Sequence, residues 1–216
     1  KRRVMRSFLP SLALASAAGL LAFAVVATAQ KDAEPTVPSW RVPKGDVARG
    51  AGRAQVCLTC HGVNGAPSDP PAPKLRRQRT SYIFKALQEY RSGERKSDIM
   101  QPFAQELSDQ DMRDLAVYLS GELLDGPPKA HSELPIYRRI ARECAWCHGE
   151  TGIGEFEGMP VLTGQDPTYI AHALSAYRDG ARTSPIMRSV VKDLPAQEDA
   201  ALADYYSRHE WLERNK

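Results

Sequence analysis

The stretch Cys57-Leu58-Thr59-Cys60-His61 returns 87 residues later as Cys144-Ala145-Trp146-Cys147-His148, and the two together use all four cysteines of the 216-residue chain. Cys-x-x-Cys-His is the attachment pattern of a c-type haem. Two thiols one helical turn apart can each add to a vinyl group of one porphyrin, and the histidine that follows is placed to ligate the iron. A thioredoxin-like thiol pair does not require the trailing histidine, and a zinc site would want further ligands at short spacing. The pattern therefore implies two covalently bound haem c groups, one at Cys57 and Cys60 and one at Cys144 and Cys147, with His61 and His148 as iron ligands.

The repeat extends well past the motifs. Shifted by 87, the sequence aligns from Cys57 to Ser120 without an insertion: Gly62 meets Gly149, Pro73 meets Pro160, Gln78 meets Gln165, and Tyr82, Ile83, Tyr90, Arg91 and Arg95 meet Tyr169, Ile170, Tyr177, Arg178 and Arg182. Each copy reads as three main helices. The first runs into the haem motif, opened in the first copy by Asp46. The second covers about 80 to 91 and 167 to 178, with apolar residues at helical spacing and a glycine just past its end. The third covers about 109 to 120, opened by a Ser108-x-x-Asp111 capping box, and 195 to 207, opened by Pro195. No strand pattern is present. The expected fold is all-α, with two tandem domains of three main helices, each around one haem.

The expected boundaries are 1–29, an export signal or membrane anchor; 30–44, a proline-containing tether; 45–125, the first domain; 126–134, a linker; and 135–216, the second domain. Residues 1–29 have a basic start, an apolar run and Ala27-Thr28-Ala29 before Gln30, as in a cleaved secretory signal; Leu12 to Ala29 is also just long enough for a retained span. Both readings place the remainder outside the cytoplasmic membrane, in the periplasm or attached to that membrane, where bacterial c-type haem attachment takes place. The net charge of +3 owes its sign to Lys1, Arg2, Arg3 and Arg6; without them 25 basic residues face 26 acidic ones. Nothing in that balance suggests a nucleic-acid partner.

The sixth ligand decides what each iron does, because an open iron binds peroxide or oxygen and a closed one passes electrons. Of the five methionines only Met100 and Met187 meet across the repeat, each 39 residues after its motif histidine, in the connection between the second and third helices. Flexible core filling is the ordinary role of methionine, but matched offsets favour ligation. The first copy has no histidine between His61 and His131, so it cannot close its iron with a second imidazole of its own; His172 and His209 align with Lys85 and Glu122, as exposed helix positions would.

The two Cys-x-x-Cys-His-Gly motifs, Pro160-Val161-Leu162-Thr163-Gly164-Gln165, the tyrosine, arginine and glycine pattern of the second helix and the paired methionines resemble the dihaem cytochrome c4 type of tandem class I cytochromes c, over nearly all of residues 45 to 208. The resemblance implies an electron carrier rather than an enzyme, exchanging single electrons with redox proteins: a dehydrogenase or quinol-oxidising complex as donor and a haem–copper oxidase as acceptor. A permanent cytochrome subunit of a membrane-associated dehydrogenase or oxidase complex has the same redox parts, and a dihaem peroxidase would need one open iron. It also implies that Pro73 and Pro160, each 12 residues past the histidine, offer their carbonyls to its Nδ1–H. Arg76-Arg77 stands where the second copy has Thr163-Gly164, which predicts a differently shaped or charged loop.

Three further groups have two readings each. Arg91, Arg95, Arg178 and Arg182 read as propionate partners or as solvated helix-end charges. Tyr82, Tyr90, Tyr169 and Tyr177 read as walls of the haem pockets or as redox relays. Lys74, Arg76, Arg77 and Arg79 read as a solvated face or as a patch that steers an acidic partner.

Overall fold

Asp46 opens the first helix: its side chain accepts the Arg49 N–H at 2.8 Å, and its own N–H donates to Asp114, far along the chain, at 2.6 Å. The computed structural model describes residues 44–63, 67, 72–121, 132–154, 156 and 158–209, all within one compact unit that spans 36–216. The segment 1–29, nearly all of the 30–44 tether and most of the 126–134 linker lie outside the described residues. Among the described residues no helix is long and apolar enough to cross a membrane.

The first repeat contains α1 (Val47–Arg53), α2 (Gln55–His61), α3 (Thr80–Ser92), α4 (Met100–Gln105) and α5 (Asp109–Ser120). α3 stops where Gly93 takes the left-handed conformation at φ 81°, and α5 starts on the Ser108/Asp111 capping box that the sequence signals. The second repeat contains α6 (Tyr137–Arg139), a π turn (Ile140–Cys144), α7 (Ala145–His148), α8 (Pro167–Asp179), α9 (Pro185–Lys192) and α10 (Asp199–Ser207), the last preceded by a 3-10 turn over Ala196–Glu198. The fold is all-α, and among the described residues the one β feature is an isolated bridge between Arg95 and Arg182. Among the described residues each repeat has five helices where three main ones were expected: the first is divided, at Ala54 in one repeat and by the π turn in the other, and α4 and α9 occupy the connection after α3 and α8.

Each repeat has its own apolar core. In the first, Ala54, Ile83, Phe84, Leu87, Met112, Leu115, Ala116 and Leu119 are buried together, with Cys57, Leu58, Leu75 and Met100 packed against them. In the second, Ile140, Ile170, Leu194, Leu202, Ala203, Tyr205 and Tyr206 form the equivalent cluster, bordered by Cys144, Leu162 and Leu174. α1 is tied across α5 by Asp114, whose buried carboxylate receives Arg49 Nε at 2.7 Å, the Asp46 N–H at 2.6 Å and Gln110 Nε2 at 2.8 Å. Arg49 first, then the backbone and amide donors, hold this carboxyl at about 2 despite its burial. Its folded pKa lies below that of an unfolded aspartate, about 3.9. The associated stability is therefore complete above the unfolded value and lost as pH falls from about 4 towards 2. Asp114→Asn is expected to melt below the parent at pH 6, with the gap closing as the melts are repeated down to pH 2.

The loop carrying Arg76-Arg77 keeps the path of its second-repeat counterpart. Arg77 has φ 66° where Gly164 has φ 63°, and the two N–H groups donate to carbonyls near the ends of α5 and α10, Ser120 at 2.7 Å and Tyr206 at 3.0 Å. Of the two differences that Arg76-Arg77 predicts, shape or charge, the shape is kept: the tertiary hydrogen bond holds an arginine in the left-handed region, at a cost of about 1–2 kcal/mol. Thr163 is buried and donates to the Thr151 carbonyl at 2.6 Å, whereas Arg76 is exposed and lies against Gly121, so the two loops differ in charge and in what their side chains touch.

The repeats meet through polar groups. Arg95 and Arg182 are 3% and 7% exposed, which sets aside the solvated helix-end reading for this pair. Arg95 stacks 4.5 Å from the Tyr90 ring and donates to the Tyr169 hydroxyl at 2.6 Å, and Arg182 lies over Tyr169 and Tyr177. The charges of both arginines also act on the Tyr82 hydroxyl, so all four tyrosines gather at this junction. Arg91 and Arg178 pair instead within their own repeats, with Asp109 and Asp199. Much of the basic cluster is also engaged: Lys74 Nζ donates to the Gly164 carbonyl at 2.6 Å and Arg79 to that of Gly154.

Candidate haem sites

α2 carries Cys57, Cys60 and His61 on a single seven-residue helix, because Ala54 ends α1 and lets the chain turn before the motif. In the second repeat the π turn ends at Cys144 and passes directly into α7, which holds Cys147 and His148. None of the four cysteines is in a disulfide. Burial pushes the Cys57 thiol up, and burial with the Glu143 charge pushes Cys144 up to about 11. A redox or nucleophilic thiol has a depressed pKa; Cys57 and Cys144 are shifted the other way. Trp146, between the second pair, is 82% exposed, so this x position faces solvent while the motif histidine turns inward.

His61 and His148 are 7% and 8% exposed. Each Nδ1–H points at a proline carbonyl, Pro73 at 2.9 Å and Pro160 at 3.4 Å, which leaves Nε2 as the nitrogen able to ligate a metal. Burial lowers both imidazoles below the ordinary histidine value against the opposing pull of those carbonyls, so both rings are neutral, as a ligand must be. A cleft beside His61 is walled by Leu58, Leu75, Arg76, Tyr118 and Leu119. Among the described residues no three His, Cys, Asp or Glu side chains converge as a metal-binding group. In the first repeat a neutral imidazole in a largely apolar cleft, with two thiols on its own helix, fits a covalently held porphyrin.

Met100 is the first residue of α4, and its N–H is capped by Ser97 Oγ at 3.1 Å; Met187 stands in the first turn of α9, capped by Ser184 Oγ at 3.2 Å. The sequence placed both in an open connection; the structure places both in the first turn of a short helix, under equivalent serine caps. Both are half-buried. His172 is exposed as expected, but His209 is 1% exposed, with Nδ1 donating to the Tyr205 carbonyl at 2.9 Å and its ring against Tyr205. The α10 helix ends just before it, so alignment with a polar residue misjudged a side chain that folds back onto its own helix.

Sequence reasoning also missed the roles of Gln78 and Gln165, which are 7% and 6% exposed and bridge the repeats. Their match across the repeat was the available signal; its crossed geometry was not legible without the fold.

The cytochrome c family pattern matches residues 47–121. Cytochrome c4 of Pseudomonas aeruginosa is 33% identical over 175 residues, covering 74% of this chain and 87% of that protein. The thiosulfate dehydrogenase electron acceptor of Stutzerimonas stutzeri is 30% identical over 170 residues, covering 71% and 79%. The crystal structure of reduced recombinant cytochrome c4 from Pseudomonas stutzeri superposes with a TM-score of 0.66 at 32% identity, over 77% of this chain and all of that one. The chain belongs to the cytochrome c4 family, and it is a dihaem electron-transfer cytochrome with covalently bound haem c.

Proposed function

We propose that the protein is a periplasmic carrier that takes single electrons from a dehydrogenase or quinol-oxidising complex and delivers them to a haem–copper oxidase, with no small-molecule turnover of its own. In this reading Cys57, Cys60, Cys144 and Cys147 hold the haems, and His61 with Met100, and His148 with Met187, are the axial pairs. Each haem supplies a one-electron ferric/ferrous couple. The chain's part is to close both irons, keep water from them and set their potentials. Pro73 and Pro160 orient the imidazoles, and the thioethers, soft and neutral, favour the ferrous state. The observation that carries the reading is the equivalent placement of Met100 and Met187 under the serine caps of α4 and α9.

Likeness to a thiosulfate dehydrogenase electron acceptor favours a second reading, a dedicated acceptor for a sulfur-compound dehydrogenase. One experiment separates them. Prereduced protein is mixed in air with bacterial membranes that contain a haem–copper oxidase; a carrier is reoxidised at both haems, and cyanide stops it. Protein that stays reduced there, yet is reduced rapidly by a thiosulfate dehydrogenase and comigrates with it on gel filtration, would replace the carrier reading with the second.

A further inference from the structure

Gln78 and Gln165 are buried equivalents in the two repeats, and each uses both ends of its side-chain amide on one residue of the other repeat. Gln165 Nε2 donates to the Lys74 carbonyl at 2.9 Å, and Gln165 Oε1 accepts the Lys74 N–H at 2.9 Å. Gln78 Nε2 donates to the Val161 carbonyl at 2.9 Å, and Gln78 Oε1 accepts the Val161 N–H at 2.8 Å. The same oxygens also accept the next N–H along their own chain, Asp166 and Arg79, each at 2.9 Å, which fixes the plane of each amide.

The residues so held are the ones that follow the two prolines. The Lys74 N–H and the Pro73 C=O belong to one peptide unit, and the Val161 N–H and the Pro160 C=O to another. Each unit therefore has Gln at its N–H edge and a motif histidine at its C=O edge, 2.9 Å away for His61 and 3.4 Å for His148. A peptide whose N–H is hydrogen-bonded is a stronger acceptor at its oxygen, because chains of hydrogen bonds in a low-dielectric interior polarise one another. A stronger acceptor at Nδ1–H makes the imidazole a better donor to iron and favours the ferric state.

We propose that Gln165 is a positioning residue for His61 and Gln78 for His148, so that each axial histidine is held and tuned from the opposite repeat. The inference rests on histidine ligation at these two positions. It gives the junction a role beyond adhesion: the potential of each haem depends on a side chain from the other half, and parting the repeats shifts both.

The test is a pair of substitutions read haem by haem. Gln165→Met keeps the length and apolar volume of the side chain while removing both hydrogen bonds. The reduction equilibrium of the first-repeat haem is expected to move towards ferrous by about two- to tenfold, a tenth to a third of one hydrogen bond's strength. The His61 Nδ1–H of the reduced protein should exchange faster, and the second-repeat haem should stay put. Gln78→Met should give the mirror result at His148, and a smaller one, because that carbonyl is the more distant. Gln165→Glu, which keeps an acceptor for the Lys74 N–H and is the variant to use if the methionine form does not fold, should retain the slow exchange. Spectro-electrochemical titration, with NMR of the hyperfine-shifted ring signals in the ferric protein and of the ring-current-shifted ones in the reduced protein, resolves the two haems. Ring signals intact in every variant, with potentials unmoved or moved in the substituted repeat only, would overturn this proposal alone. Ring signals missing from the unsubstituted protein would overturn histidine ligation and this proposal with it.

Discussion

On the proposed ligation, Met100→Ala is expected to lower the reduction potential of the first-repeat haem by on the order of 100 mV and to let the reduced protein bind one carbon monoxide per chain, while the second-repeat haem keeps its potential. Met187→Ala does the same at the other end, and the double variant binds two. The direction follows from the chemistry of the donor: a thioether stabilises ferrous iron, and the water or hydroxide that replaces it does not. The expected size reflects the loss of a proposed direct ligand, whereas the glutamine substitutions would act through two hydrogen bonds. Because both methionines sit in the first turn of a serine-capped helix, alanine leaves the helix start intact, so the substitution removes the sulfur and little else. Potentiometry and carbon monoxide titration of the three variants check this. A variant with an unchanged potential and no uptake would show that the sulfur ligand comes from elsewhere.

The second large effect is a contrast between neighbouring glycines of α1. A Cβ on Gly50 would stand 2.1 Å from the Asp114 carbonyl oxygen and 2.8 Å from the Tyr118 Cβ, so Gly50→Ala can be accommodated only by moving α1 away from α5. Gly52 has nothing within 4 Å of the same added atom. Overpacking against backbone costs about 1–3 kcal/mol, and here the separation of α1 also strains the Asp114 contacts, so the upper part of that range is expected for Gly50→Ala. Gly52→Ala meets no such obstacle and gains about 1 kcal/mol of helix propensity. In thermal melts at neutral pH the first is expected to lower Tm by about 10 °C or more and the second to raise it by about 4 °C. Equal and small shifts from both would mean that α1 and α5 do not pack as closely as described.

The haem motifs, the duplication and the main helices were legible in the sequence because each rests on local chemistry. Cys-x-x-Cys-His is a covalent constraint, Ser108/Asp111 and Asp46 are caps satisfied within one turn, and the apolar spacing of α3 and α8 is set by the cores they cover. What was not legible depends on distant partners. Arg95 and Arg182 look like helix-end charges until the other repeat brings tyrosine rings over them. Arg77 looks like a break in the pattern, and only the Ser120 carbonyl explains why an arginine keeps a glycine's conformation. The glutamines show the same limit: a repeat comparison finds that they match but not that each one serves the opposite site.

The account depends most on both irons being closed by the chain itself. Carbon monoxide titration of the dithionite-reduced, undenatured protein at neutral pH tests that directly. The account predicts no spectral change at either haem and, in the ferric protein, the far-red charge-transfer band of histidine–methionine ligation at two haems per chain. Stoichiometric uptake at one or both haems, with that band weakened in proportion, would contradict it.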